Sequence, residues 1–175
     1  MRLMLLRHAK SEKAEAGEVD WERHLNARGQ SDAPLVGAYM AHHGLIPDLA
    51  LISASVRTRE TWERIVGELP SRPREKFEER LYNASRAAIL AVIKEVAPKV
   101  GTLMLLGHNP GVHDVARQLI ASGDVEARER LNEGLPTSGL VVIDFAGDDW
   151  RKLHAHGGRL MHFITPRSLA AAARV

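Results

Sequence analysis

Two short apolar runs of similar sequence each stop at a histidine. The first is Met4-Leu5-Leu6-Arg7-His8, and the second, one hundred residues further along, is Met104-Leu105-Leu106-Gly107-His108. Continuous apolar runs bounded by polar or turn residues are typical of strands that are buried on both faces. Ligands bind at the carboxyl ends of such strands in open α/β sheets, so His8 and His108 are candidate partners in one site.

Strand-like and helix-like patterns alternate from the start of the chain to its end. This alternation predicts a three-layer α/β/α sandwich with a mostly parallel central sheet. The predicted strands are Leu3 to Arg7, Leu49 to Ser53, a short one around Lys76 to Phe77, Leu103 to Gly107, Leu140 to Phe145 and Arg159 to Ile164. Helical spacing of apolar residues predicts four helices, around Ala33 to Met40, Trp62 to Leu69, Ile89 to Val96 and Val112 to Leu119.

Local signals mark where these helices begin and end. Gly44 is placed to end the first helix, and Ser85 to begin the third. Asn109 is expected to cap the fourth helix, with Pro110 in its first position. His108 would then lie between a buried strand and a helix N-terminus, where free N–H groups and the helix dipole favour an anion such as phosphate.

Composition narrows the classes of function. A chain of 175 residues fits a single domain, 1–175, and the formal charge of +2 comes from 24 basic and 22 acidic residues without a basic cluster. Together with an aromatic content of only 5%, this charge distribution makes nucleic-acid binding the least favoured class of function. The absence of cysteine excludes disulfides, thiolate catalysis and zinc–sulfur sites. We expect a cytoplasmic monomer without membrane attachment.

The polar residues at the strand ends indicate phosphoryl chemistry. Arg7 offers a guanidinium fork beside His8, whose imidazole is nucleophilic and titrates near neutral pH. Arg57 comes shortly after the second predicted strand and would reach the same edge of the sheet. On these residues alone, Arg57 could equally belong to an ordinary solvated helix start, paired with a nearby glutamate.

Three motifs together resemble the histidine phosphatase (phosphoglycerate mutase-like) superfamily. They are Arg7-His8, the S-x-x-x-R-x-x-x-T pattern of Ser53, Arg57 and Thr61, and Gly107-His108-Asn109-Pro110. Within that superfamily the chain resembles the SixA-type phosphohistidine phosphatases, and the resemblance covers nearly the whole chain. It is carried by the short length and by the segments Leu6 to Lys10, Asp20 to Gly29, Leu81-Tyr82 and Phe163 to Arg167.

The resemblance implies a phosphoglycerate mutase-like fold and a role for each matching residue. His8 would be the nucleophile and would become transiently phosphorylated. Arg7, Arg57 and a protonated His108 would bind the three equatorial oxygens of the transferring phosphoryl group, without a metal or another cofactor. Arg23 could also meet the substrate phosphate.

The position of a general acid is open at this stage. Superfamily members that act on phosphate esters use an acidic residue to protonate the leaving group, and Glu79 is the best match. Glu79 is equally consistent with an ordinary surface glutamate. A phosphorus–nitrogen bond to imidazole breaks without a strong acid, because the departing nitrogen can be protonated near neutral pH.

These observations predict a metal-independent phosphatase whose substrate is phosphohistidine on a protein. A phosphatase of small phosphate monoesters is the alternative, and a non-catalytic phosphate-binding domain is a third. His154, His156 and His162 could face one way toward a metal, but no carboxylate stands at matching spacing, so no metal site is expected.

Overall fold

The computed structural model describes all 175 residues and contains one central sheet of seven strands. Six strands run in the same direction and β6 runs against them, which confirms the mostly parallel sheet. The strand order across the sheet is β3-β2-β4-β1-β6-β7-β5. The strands are β1 (Arg2–Arg7), β2 (Leu49–Ser53), β3 (Arg74–Glu78), β4 (Thr102–Gly107), β5 (Ile120–Gly123), β6 (Leu140–Phe145) and β7 (Gly158–Ile164).

Helices cover both faces of the sheet and complete the predicted three layers. Side chains of α1, α2 and α6 pack in one core, and side chains of α3, α4 and α5 pack in the other. No helix is both long enough and apolar enough to span a bilayer. The helices are α1 (Ala27–His42), α2 (Val56–Val66), α3 (Arg86–Lys94), α4 (Gly111–Leu119), α5 (Val125–Glu133) and α6 (Pro166–Ala172).

The two apolar runs seen in the sequence form the neighbouring central strands β1 and β4. They pair in parallel, with Leu3 opposite Leu103 and Arg7 opposite Gly107. Alternate residues of β1 enter opposite cores, because successive strand side chains point to opposite faces: Leu5 lies in one core and Leu6 in the other. Both faces of the strands are therefore buried, as the continuous apolar pattern predicts.

Three elements were not predicted. β5 is short and follows α4 directly, and its sequence Ile-Ala-Ser-Gly has a single β-branched residue. α5 is strongly polar and buries Leu131 alone, so its apolar periodicity is weak. α6 buries only Pro166, although Thr165 and Ser168 form a capping box that is readable in the sequence.

The prediction for the start of the fourth helix was wrong. α4 begins at Gly111, with Pro110 in the capping position and no side-chain cap. The Asn109 amide instead donates a hydrogen bond to the Leu135 carbonyl, 2.8 Å away. The predictions for Ser85 and Gly44 are confirmed: Ser85 accepts from the Ala88 N–H, and Gly44 adopts a left-handed φ of 64° after α1.

Gly29, in the first turn of α1, lies against the backbone that follows the first strand. A Cβ at this position would overlap the Lys10 carbonyl oxygen. That oxygen is fixed, because it accepts a hydrogen bond from the Asn26 N–H at 3.0 Å. α1 can therefore approach the loop beside His8 only with glycine here.

We predict that Gly29→Ala lowers the free energy of unfolding by about 2 kcal/mol through this overlap. Gly67→Ala is the matched control, because Gly67 also lies at a helix end but its nearest neighbour would be 3.6 Å from the added Cβ. The measurement is urea unfolding of both variants. Equal stability of the two variants would show that the contact between Gly29 and Lys10 does not matter.

Candidate active site

His8 stands immediately after β1 and is almost fully buried, with 8% of its surface exposed. Its Nδ1 lies 2.8 Å from the Ala9 carbonyl oxygen. A carbonyl only accepts hydrogen bonds, so Nδ1 carries the proton and Nε2 keeps its lone pair. The backbone therefore selects the tautomer in which Nε2 can act as a nucleophile.

His108 is also buried and stands beside His8, with the two ring centroids 5.3 Å apart. Its Nδ1 lies 3.3 Å from the Arg57 Nη2. A guanidinium only donates, so Nδ1 accepts this bond and the proton of the neutral ring is on Nε2. Nε2 then donates to the Ser53 hydroxyl at 2.7 Å.

Arg57, on the first turn of α2, is 2% exposed and is held by Asp20. Its Nη1 donates to the Asp20 backbone carbonyl at 2.9 Å, and its Nη2 donates to the Asp20 carboxylate at 3.2 Å. The same carboxylate accepts hydrogen bonds from the Tyr82 hydroxyl and, at 2.9 Å, from the Arg23 Nε. Asp20 thus fixes two arginines and a tyrosine at the site.

These side chains border a cavity of about 280 Å³ that has no hydrophobic residue in its lining. Five of the lining residues are lysine or arginine, and one, Asp20, is a carboxylate. Such an excess of positive charge in a concave site favours an anionic ligand. The lining residues are Arg7, His8, Lys10, Ser11, Lys13, Asp20, Arg23, Arg57, Asn83, His108, Asn109 and Thr137.

Burial and the surrounding cations keep both histidines neutral. Burial is the main cause that lowers the pKa of His8 to about 4, and the charges of Arg57 and Arg7 act in the same direction. The pKa of His108 is lowered to about 3, again mainly by burial. The Tyr82 hydrogen bond is the main cause that lowers the pKa of Asp20 to about 2, so Asp20 is ionised at neutral pH.

The protonated His108 expected from the resemblance concerns a ring in contact with a phosphoryl group, and that state stays a prediction. An imidazolium has no acceptor, yet the His108 Nδ1 accepts from Arg57. Both burial and the charge of Arg57 disfavour a second positive charge at this position. His108 is a neutral ring in the structure.

The structure brings together five of the six residues that the sequence singled out. Arg7, His8, Arg23, Arg57 and His108 all line the cavity. Glu79 does not: it lies in a 3₁₀ turn, Glu79–Leu81, its side chain is exposed, and it is absent from the lining. Of the two alternatives for Glu79, a general acid or an ordinary surface glutamate, this placement matches the surface glutamate.

The contacts of Asp20 with Arg57 and of Ser53 with His108 are not predicted from the sequence. In the sequence, Asp20 is only the first residue of a shared segment, and Ser53 is only the first residue of a motif. A carboxylate and a hydroxyl within such motifs are candidate partners for the arginine and histidine of the site. Neither residue could be assigned to a particular partner without the fold, since Asp20 lies 37 positions from Arg57 and Ser53 lies 55 positions from His108.

The comparisons with known proteins agree with this geometry. A sequence model described as the histidine phosphatase superfamily (branch 1) matches residues 3–99, more than half of the chain. An uncharacterized protein of Mycobacterium tuberculosis is 33% identical over 164 residues, covering 93% of this chain and 100% of that protein. The chain therefore belongs to the histidine phosphatase superfamily, and its class of enzyme is a phosphatase.

A solved structure supports the SixA type within that superfamily, and a second shares the fold. A protein assigned as the phosphohistidine phosphatase SixA of Agrobacterium tumefaciens is 31% identical, with a TM-score of 0.80 over 94% of this chain and 97% of that chain. A protein with the same assignment from Nakamurella multipartita shares the fold, with a TM-score of 0.81 and 23% identity over 94% of this chain and 95% of that chain.

We predict that the neutral state of His8 makes stability depend on pH. Its pKa is about 4 in the folded protein and near 6.5 in an unfolded chain, so the unfolded chain binds more protons between these values. Stability is then lost as the pH falls from 6.5 towards 4, by up to about 1.4 kcal/mol per pH unit from this residue.

Urea unfolding of the wild type and of His8→Asn between pH 4.5 and 6.5 measures this contribution. The wild type should lose stability more steeply towards acid pH than His8→Asn does. Parallel curves would mean that His8 takes up its proton equally well in the folded and unfolded chains.

Proposed function

We propose that this chain is a protein phosphohistidine phosphatase in which His8 carries the phosphoryl group between two displacements. The observation that supports this most directly is the free Nε2 lone pair of a neutral His8 inside a cationic cavity. A nucleophile of this kind can attack phosphorus only where positive charge offsets the charge of the phosphoryl oxygens. Arg7 and Arg57 supply that charge.

The buried arginines have spare donors for an anion. The Nε atoms of Arg7 and Arg57 are buried and have no hydrogen-bond partner in the protein. Unpaired buried donors are rare in native structures, and charge-assisted bonds to phosphate oxygens would satisfy them. A phosphoryl group that binds beside His108 would also raise the pKa of that ring, so that Nδ1 gains a proton and donates to the phosphate.

Two displacements then complete the reaction. The His8 Nε2 attacks phosphorus, the bond from phosphorus to the substrate imidazole breaks, and its electron pair stays on the substrate nitrogen, which takes a proton from water. A water molecule next attacks phosphorus on His8. The bond from phosphorus to Nε2 breaks and its electron pair returns to Nε2, orthophosphate leaves, and the proton released to solvent balances the one that the substrate nitrogen took from water.

The lining of the cavity holds no protonated carboxyl group, which favours a phosphoramidate substrate over a phosphate ester. Asp20 is the only carboxylate in the lining, and it is ionised and bonded to Arg57. An alkoxide leaving group needs a proton donor, whereas an imidazole nitrogen is protonated near neutral pH. The similarity to a protein assigned as a phosphohistidine phosphatase supports the same choice.

We predict that kcat/KM for a phosphohistidine protein exceeds that for glycerol 2-phosphate, an alkyl ester whose leaving group needs an acid, by at least about a hundredfold. His8→Asn should lower turnover of both substrates by a factor of a thousand or more, because no other nucleophile replaces Nε2. Phosphate release and circular dichroism of the variant are the measurements. A preference for the ester would instead indicate a phosphatase of small monoesters, and binding of phosphate without any turnover would indicate a binding domain.

We predict that Asp20→Asn lowers kcat about tenfold, because Arg57 loses the charged partner that orients it. Glu79→Gln is the matched control and should leave kcat unchanged, since Glu79 is exposed and lies outside the cavity. Steady-state phosphate release with both variants decides the matter. If Glu79→Gln were the more damaging change, the acid expected from the sequence would have to reach the substrate after all.

A further inference from the structure

A second and larger cavity adjoins the phosphate cavity. It has a volume of about 720 Å³ and lies between the end of α5, the segment 134–137, the end of β7 and the start of α6. We call it the arginine groove, because Arg28, Arg130 and Arg167 line it. It is far larger than a phosphate ion requires, so its size suits a stretch of polypeptide.

The arginine groove combines positive charge with apolar lining residues. Its three arginines face one carboxylate in the lining, Glu133. Arg28 is the one of the three with a salt bridge, 3.4 Å from its Nε to the Asp32 carboxylate. The guanidinium of Arg130 lies over the Phe163 ring, 5.6 Å from its centroid, which leaves the edge of the guanidinium free to donate.

The segment 134–137 lies between the phosphate cavity and the arginine groove and contributes Thr137 to the lining of both. The Leu135 carbonyl accepts hydrogen bonds from the Arg7 Nη1 at 3.1 Å and from the Asn109 Nδ2 at 2.8 Å. One short stretch of chain therefore forms the wall of the groove and also holds a phosphate-binding arginine.

We propose that the arginine groove binds an acidic segment of the phosphorylated protein, next to the histidine whose phosphoryl group enters the phosphate cavity. This deepens the proposed function and rests on it. Guanidinium groups bind carboxylates through paired hydrogen bonds, and the lining residues Leu135, Pro136 and Phe163 offer contact to the aliphatic parts of such a segment. Charge complementarity of this kind selects among partners.

Phosphohistidine peptides provide the test. One peptide carries four glutamates on one side of the phosphohistidine, a second carries them on the other side, and a third has alanines in their place. The wild type should hydrolyse one of the glutamate peptides with a kcat/KM about tenfold above that of the alanine peptide, through a lower KM. The preference should shrink in 0.5 M salt, because exposed charges are screened.

Two double variants with the same change of net charge distinguish binding in the arginine groove from a general electrostatic effect of the whole protein. Arg130→Glu with Arg167→Glu should abolish the preference for glutamate while leaving turnover of the alanine peptide unchanged. Arg128→Glu with Arg174→Glu is the control, since both side chains lie outside the groove. Equal rates on all peptides in the wild type, or an equal loss in both double variants, would overturn the proposal.

A binding measurement keeps this result separate from the proposed function. Fluorescence anisotropy of the unphosphorylated glutamate peptides uses no chemistry at all. A glutamate peptide could bind the wild type and not the groove variant while phosphohistidine is not hydrolysed. That result would contradict the proposed function and support binding of acidic peptides in the arginine groove. If neither glutamate peptide binds the wild type more tightly than the alanine peptide, the groove proposal fails whatever the substrate is.

Discussion

The in-register parallel pairing of β1 with β4 is the constraint on which the site depends. It sets Arg7 opposite Gly107, and the His8 N–H continues the ladder by donating to the Gly107 carbonyl at 3.1 Å. Both strands are buried on both faces, so a slip of one residue would exchange the side chains of the two cores. The packing of the cores thereby fixes the distance between His8 and His108.

The electrostatic character of the site follows from the close placement of its histidines and arginines. Two imidazoles and two arginines share a small, largely buried volume. Burial and the charges of the arginines lower the pKa of both imidazoles, so both rings are neutral. Asp20 offsets part of the positive charge from the side, where it holds Arg57 and Arg23 without covering the lone pair of His8. A phosphoryl dianion would complete the charge balance, and this links substrate binding to the protonation of His108.

The sequence was sufficient for the central part of the fold and for most of the site. Buried strands and amphipathic helices have strong periodic patterns, and residues that follow parallel strands meet at one edge of the sheet. The weakly patterned elements β5, α5 and α6 were missed because they bury few side chains. Because α5 and α6 border the arginine groove, the groove could not be predicted without them.

Side-chain direction and protonation could not be predicted in the same way. Glu79 follows a strand as expected, but a 3₁₀ turn leaves it exposed. Asn109 is the residue type of a helix cap, yet its amide bonds to a carbonyl 26 residues away. The neutral state of His108 depends on Ser53 and Arg57, which only the folded chain brings to its two nitrogens.

The central claim is that the His8 Nε2 carries the phosphoryl group, and mapping the phosphoenzyme tests it most directly. The enzyme is mixed with a ³²P-labelled phosphohistidine protein, quenched in alkali within milliseconds, digested and sequenced by mass spectrometry. The account predicts phosphate that is stable in alkali and labile in acid, located on His8 and absent from His8→Asn. Phosphate on His108, or rapid turnover with no phosphorylated residue at any time, would contradict it.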